Sequence, residues 1–273
     1  MKLQNYKNLT EQQGNLLLAY GMAGCGKTST ILQTAQDPII YLTAEGRKVS
    51  TTLAAINRPD LKMKVGVYEG FDDLIETCMS PDRFEGGKTI FLDSLTHLML
   101  VHLSLEILQE NFEAKTNKEQ DEIQKALTAQ VKLSMEGYGT LSGQMNRLMR
   151  ALQRLTMSGY DVVCSARLTD RPKWNRALTA APALMGQEFS KAMDGFFDFI
   201  GLLTPADIDT ELVPLGPNAT TADTWKRFAP MVSFNTNEDY LAKWTGAMPS
   251  KGIVNRWFNV RKIFEEANGN LDK

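Results

Sequence analysis

Gly21-Met22-Ala23-Gly24-Cys25-Gly26-Lys27-Thr28 is the stretch from which the rest of the chain is read. It matches the phosphate-binding pattern G-x-x-x-x-G-K-[ST] without a deviation. Glycines let the backbone turn tightly, so that successive N–H groups face one concavity. A helix that follows points its positive end at the same spot. Lys27 is placed to reach the terminal phosphates of a nucleotide, and the Thr28 hydroxyl to complete the coordination of Mg²⁺. The pattern therefore predicts a nucleotide site built from Gly21, Met22, Ala23, Gly24, Cys25, Gly26, Lys27, Thr28 and the adjoining Ser29. Cys25 reads as a small residue in a tight loop rather than a redox switch, because no second cysteine is near it in sequence.

The flanks fit this reading. Leu16 to Tyr20 is a short apolar run bounded by Gly14 and Gly21, and predicts a buried strand. A helix is expected from Lys27 to about Ala35, before the break at Asp37-Pro38. Further strands are expected at Ile39 to Thr43, Lys64 to Tyr68, Thr89 to Leu92, Asp161 to Ala166 and Phe197 to Leu203. Asp72 to Met79 reads as helix, as does Leu95 to about Arg154. Within the latter, the polar stretch Asn111 to Gln124 is expected to project into solvent. Leu141, Met145, Leu148, Leu152 and Leu155 recur at helical spacing, with Arg147, Arg150 and Arg154 off that stripe. Met231 to Phe234 and Tyr240 to Trp244 suggest a late hairpin, and Asn255 to Ala267 a terminal helix. Strands alternating with helices predict an α/β fold with a mainly parallel sheet and late antiparallel edge strands. The expected organisation is one domain over 1–273, with a helical insertion around 100–137 and a C-terminal helix around 255–267.

Composition narrows the function classes. The 273 residues carry a formal net charge of −2, so any nucleic-acid binding must come from a local basic patch. Cys25, Cys78 and Cys164 are far apart, and neither they nor His97 and His102 have zinc-ligand spacing. A sparse, odd cysteine set fits a reducing compartment. No apolar run approaches the ~20 residues needed to span a bilayer. Met1 to Gly14 is polar and lacks a signal-peptide core. The expectation is a cytoplasmic protein without a membrane partner. The two histidines read as packing or capping groups, and the methionines as core filler.

Two carboxylates stand where a phosphate loop needs them. Thr89-Ile90-Phe91-Leu92-Asp93 is an apolar strand ending in an acid. It is expected beside the first strand, with Asp93 holding the Mg²⁺ hydration shell, assisted by Ser94. The alternative for Asp93 is a helix N-cap. Asp93 is not followed by Glu, so another group must orient water. Glu45, at the tip of the second strand in Tyr41-Leu42-Thr43-Ala44-Glu45-Gly46, is the candidate, since strand ends converge on the ligand crevice in open α/β sheets. The alternative is a solvated loop carboxylate. Lys27 also counts as catalytic, because attack on a γ-phosphate is catalysed by positioning and charge.

Strand-end Glu45, the phrase Leu92-Asp93-Ser94-Leu95-Thr96, and Tyr138-Gly139 before a long helix resemble the RecA-like core. They are most similar to the small phage ATPases related to Sak-type single-strand annealing proteins. Pro182-Ala-Leu-Met-Gly186, Asp198 opening a strand, and Ala242-Lys243 add to the resemblance, which spans roughly Leu16 to Trp244. It implies a RecA-like P-loop fold, ATP and Mg²⁺, and a catalytic glutamate at Glu45. It implies a polar γ-phosphate sensor at Ser165 or Arg167, and Lys243 acting in trans on a neighbouring subunit's nucleotide. Trp244-Thr245 departs from the pattern, where a second basic residue often follows. The partners implied are single-stranded DNA, further copies of the chain with ATP at their interfaces, and a phage single-strand-binding protein.

Arg167-Leu-Thr-Asp-Arg171-Pro-Lys173-Trp174-Asn-Arg176 concentrates cations around an aromatic. Cations neutralise phosphates and an aromatic offers a base a stacking surface, so Arg167, Arg171, Lys173, Trp174 and Arg176 are candidate DNA contacts. The alternative is a solvated loop with Trp174 packed on the core. Trp225, Lys226 and Arg227 read as surface structure. No Asn-Lys-x-Asp guanine-recognition motif is present, which favours ATP over GTP. A small-molecule kinase and a nucleotide-dependent scaffold acting on a protein partner remain alternatives at this level.

Overall fold

The computed structural model describes residues 13–45, 49–56, 58, 60–113, 133–175, 177–205, 230–235, 239–246 and 256–268. The first apolar run forms β1 (Leu16–Gly21), buried along its whole length. β2 (Ile39–Thr43) and β4 (Thr89–Asp93) are buried throughout as well. Unbroken burial without polar alternation marks central strands covered on both faces. β3 (Met63–Val67) is mostly exposed or half-buried, as an edge strand should be. β5 (Asp161–Asp170), β6 (Ala180–Pro182), β7 (Phe199–Thr204), β8 (Met231–Ser233) and β9 (Arg256–Trp257) complete the sheet.

The strand order is β3-β2-β4-β5-β1-β7-β8-β9, with β6 paired to β5 off this path. From β3 to β7 every pairing is parallel, and β8 and β9 add antiparallel strands at the far edge. This is the α/β fold of a P-loop NTPase: a mostly parallel central sheet with flanking helices and late antiparallel strands.

Helices cover both faces. On one side, Leu17 and Ala19 of β1 pack with Ile31 and Leu32 of α1 (Lys27–Thr34) and with Ile263 and Phe264 of α8 (Val260–Ala267). On the other, Leu16, Leu18 and Tyr20 pack with Phe71 and Leu74 of α3 (Phe71–Met79) and with α6 (Met135–Met157). Leu141, Met145, Leu148, Leu152 and Leu155 of α6 are all fully buried. Each such side chain is worth about 1.5–3 kcal/mol of burial. Ser134 caps α6 by accepting the Gly137 N–H at 3.1 Å, while Arg147, Arg150 and Arg154 face solvent. The remaining helices are α2 (Val49–Ile56), α4 (Leu95–His97), α5 (Ser104–Glu113) and the short α7 (Gln187–Ala192).

The structure corrects several expectations. β4 does not lie beside β1, because β5 is inserted between them. Both read in the sequence as short apolar strands, and periodicity carries no information on their order. β5 runs past Ala166 to Asp170, because Leu168, Thr169 and Asp170 find antiparallel partners in Pro182, Ala181 and Ala180. β8 pairs with β7 and β9, whereas Tyr240 and Lys243 join the strands only through isolated bridges, to Ala180 and Ile200. The terminal helix starts at Val260, since Arg256 and Trp257 are strand and the Asn259 side chain caps by accepting the Lys262 N–H at 3.0 Å. The segment from Leu95 is interrupted by a π turn at Leu98–Leu103. The polar stretch expected to project into solvent falls mostly on 114–132, outside the described residues. Among the described residues no helix is long and apolar enough to cross a membrane.

Candidate nucleotide site

The phosphate loop joins the C-terminal end of β1 to α1. Gly24 (φ 78°) and Gly26 (φ 84°) take left-handed backbone that other residues rarely adopt. Gly21 is required for a different reason: a Cβ there would lie 2.5 Å from the Leu203 carbonyl oxygen of β7. Gly26 opens α1 with no side-chain cap. The first amides of a helix left in that way suit an anion. Lys27 Nζ lies across the loop, donating to the carbonyl oxygens of Gly21 (2.9 Å) and Met22 (2.7 Å). Met22, Ala23 and Gly24 are exposed at the apex, Ser29 is half-buried, and Cys25 is buried beneath the loop.

Thr28 and Asp93 meet although they are far apart in sequence. Thr28 Oγ1 donates to Asp93 Oδ2 at 2.8 Å. The Tyr41 hydroxyl donates to the same oxygen at 3.0 Å, and the buried Ser165 hydroxyl donates to Asp93 Oδ1. Burial and the Asp93 charge push the Tyr41 phenol well above its ordinary pKa, which keeps it a donor. Among the described residues no group of three or more His, Cys, Asp or Glu side chains could hold a metal. One hydroxyl and one carboxylate at the phosphate loop nevertheless fit Mg²⁺, which takes few protein ligands and completes its shell with phosphate oxygens and water. Asp93 is followed by a cis peptide to Ser94, and Ser94 Oγ accepts the His97 N–H as the cap of α4. The capping role therefore belongs to Ser94 rather than Asp93.

Glu45 lies just beyond β2 and is buried at 9% exposure, so it is not a solvated loop carboxylate. Ser94 Oγ donates to Glu45 Oε1 at 3.1 Å. Ala44 N–H donates to the Asp93 carbonyl at 2.9 Å, which ties the tips of β2 and β4 together. The phosphate loop, Asp93 and Glu45 therefore share the C-terminal edge of the parallel sheet, where open α/β sheets bind ligands.

A family model described as an AAA domain matches residues 13–243 of the chain. The chain belongs to the AAA domain family. Such domains bind nucleotides and are generally ATPases, which agrees with the loop and carboxylates at the sheet edge. No curated protein matches this AAA domain.

The remaining candidates fall into two groups. Arg167 is exposed and in register with Gly21, so the β5–β6 hairpin leaves the sheet beside the phosphate loop. The basic segment is thus partly strand rather than a free loop. Arg171 takes left-handed backbone (φ 46°) at the hairpin tip, and its N–H donates to the Thr179 carbonyl at 2.8 Å. Arg171, Lys173 and Trp174 line a groove of about 700 Å³ against Tyr138 of α6 and Glu188 of α7. Trp174 is half-buried there. Arg176, Trp225, Lys226 and Arg227 lie outside the described residues.

Lys243 is placed apart. Its backbone bridges Ile200, and its ammonium donates to the Asp194 carbonyl at 2.8 Å, before the N-terminal end of β7. That is the sheet edge opposite the phosphate loop of the same chain.

Sequence reasoning missed Tyr41, Thr96 and His102. Tyr41 reads as a plain strand residue, and its hydroxyl finds Asp93 only because β2 and β4 are neighbours. Thr96 Oγ1 accepts the Arg167 N–H and donates to the Ala183 carbonyl, both at 2.9 Å, and so ties α4 to the base of the hairpin. The only signal available for it was its place in the Leu92-to-Thr96 phrase.

Proposed function

We propose that this AAA domain hydrolyses ATP with Mg²⁺, and that it does so as a RecA-like protein acting on single-stranded DNA in phage recombination or replication. The observation that carries hydrolysis is the convergence of Glu45 and Asp93. Both carboxylates are buried at strand tips on the sheet edge that carries the phosphate loop, and Ser94, which follows Asp93, donates to Glu45.

The loop amides and Lys27 hold the phosphates and neutralise charge as it develops on the transferring group. Lys27 would exchange its loop carbonyls for phosphate oxygens. Mg²⁺, held through Thr28 and Asp93, would add charge and fix the phosphate geometry. Glu45 orients a water for in-line attack and accepts its proton. Ser94 holds that carboxylate, while Ser165 and Tyr41 hold Asp93. Ser165 thus acts on the carboxylate, one step removed from the sensor role that the resemblance implies.

Three observations support the DNA reading: the hairpin starts beside the phosphate loop, its tip joins Arg171 and Lys173 to Trp174, and its groove is walled by a second aromatic, Tyr138. Cations along a backbone and aromatics for bases are what a single strand needs. The resemblance to Sak-type phage ATPases supports the pathway and a phage single-strand-binding protein as partner. The same resemblance supports an assembly with ATP between subunits, and Lys243, on the sheet edge opposite its own phosphate loop, would then act at a neighbouring copy's nucleotide.

The test is Mg-ATP turnover with and without single-stranded DNA for the wild type and Glu45→Gln. The variant should bind ATP as before and lose about 100-fold or more in kcat, and DNA should stimulate the wild type. Turnover by Glu45→Gln at the wild-type rate contradicts the role of Glu45. Turnover indifferent to DNA contradicts the choice of partner.

A further inference from the structure

His102 reads in the sequence as a packing or capping residue, and in the structure it holds the backbone from which Glu45 projects. Three elements grip the tip of β2. The Asp93 carbonyl accepts the Ala44 N–H at 2.9 Å, and the Thr43 carbonyl accepts the Tyr68 N–H at 3.2 Å. The third hold is His102 Nε2, 2.6 Å from the Ala44 carbonyl oxygen. A carbonyl only accepts, so Nε2 carries the proton. Ala44 O and Glu45 N belong to one planar peptide unit, so fixing that oxygen fixes the start of Glu45.

The imidazole is itself held. Its ring lies against Tyr68 with centroids 4.5 Å apart, and His97 is 5.5 Å away on the same segment. The Tyr68 hydroxyl donates to Glu106 Oε1 at 2.5 Å, and Glu106 Oε2 accepts the Phe71 N–H at 3.1 Å, at the start of α3. Burial, and then Glu106, push the Tyr68 phenol above its usual range, so it remains a donor. His102 sits in the π turn Leu98–Leu103 between α4 and α5. One extra residue in a turn shifts the helical phase by about 100°, and such turns concentrate at functional sites.

We propose that His102 is a positioning residue for Glu45: by donating to the Ala44 carbonyl it sets the direction of the Glu45 carboxylate, while Tyr68 and Glu106 keep the imidazole in that pose. The inference rests on the reading of Glu45 as the group that orients water. On this proposal His102 acts through the backbone that leads into Glu45. Its loss should therefore lower kcat and leave nucleotide binding nearly intact.

The experiment measures kcat, KM, ATP affinity and thermal unfolding for His102→Leu, His102→Gln, His102→Asn, Glu45→Gln and the His102→Leu/Glu45→Gln double variant. The Gln amide nitrogen can occupy the place of Nε2, whereas the shorter Asn amide cannot. His102→Leu should lose about 10- to 100-fold in kcat, the scale of a small misplacement of a catalytic group, with KM changed by less than about threefold. His102→Gln should recover most of the loss and His102→Asn should not. In the Glu45→Gln background His102→Leu should add nothing, because both changes act through one carboxylate. Wild-type kcat in His102→Leu, equal activity of the Gln and Asn variants, or an additive loss in the double variant would each overturn the proposal. Where His102→Leu fails to fold, the Gln and Asn pair decides. Wild-type turnover by Glu45→Gln would instead bring down the reading of Glu45, whereas an inactive Glu45→Gln beside a fully active His102→Leu would bring down this inference alone.

Discussion

Asp93 accepts hydroxyls from three elements: Thr28 of α1, Tyr41 of β2 and Ser165 of β5. A hydrogen bond to a charged group is worth about 1.5–3 kcal/mol, and an ionised carboxylate buried without donors is costly. Ser165 is fully buried, so no water can replace its hydroxyl without rearrangement. Ser165→Ala should therefore lower the unfolding free energy by about 1–3 kcal/mol in a urea titration. An unchanged midpoint would mean that the bond contributes nothing to stability. At this scale the sequence is unevenly legible. Lys27, Thr28 and Asp93 are readable because each sits at a fixed point of a local pattern, a loop or a strand end. Ser165 and Tyr41 are strand residues whose hydroxyls matter only once β2, β4 and β5 are ordered side by side. The role proposed for His102 is not legible there, because a histidine on a helical stretch reads as packing or capping unless its partner, a backbone carbonyl from a distant strand, is known.

The β5–β6 hairpin and the α4 turn belong together. Asp93, Ser94 and Thr96 lie within four consecutive residues. Ser94 holds Glu45, and Thr96 holds both strands of the hairpin base through Arg167 and Ala183. On the proposed DNA reading, these bonds would connect the nucleotide site to a strand bound at the hairpin. Thr96→Val keeps the shape and removes both hydrogen bonds. It should leave ATP turnover without DNA unchanged and cut the stimulation by single-stranded DNA about fivefold or more, the lower range of coupling between linked sites. Full stimulation in Thr96→Val would show that the two sites communicate by another route. The hairpin was not foreseen because β6 is only the three residues Ala-Ala-Pro, with no alternation to announce a strand. The π turn was hidden for a similar reason, since the apolar spacing of Leu98 to Leu103 suits an ordinary helix.

Across the whole molecule, a parallel sheet does the work that sequence proximity cannot. It brings the loop after β1, the tip of β2 and the tip of β4 to one edge, while burial on both faces fixes the strands that carry them. The fold class was legible because six short strand-like runs alternate with helices. The strand order was not, since β4 and β5 are equivalent by periodicity, and the late strands were mispaired because two-residue β9 carries no pattern of its own. The function depends on this edge binding a nucleoside triphosphate through the phosphate loop. That binding is tested most directly by the affinity of the wild type and Lys27→Ala for Mg-ATP, measured by titration calorimetry on folded protein. The ammonium at the loop mouth forms charge-assisted bonds to phosphate, so its removal should weaken binding about tenfold or more. Equal affinity of the two proteins would mean that the loop around Lys27 is not the triphosphate site.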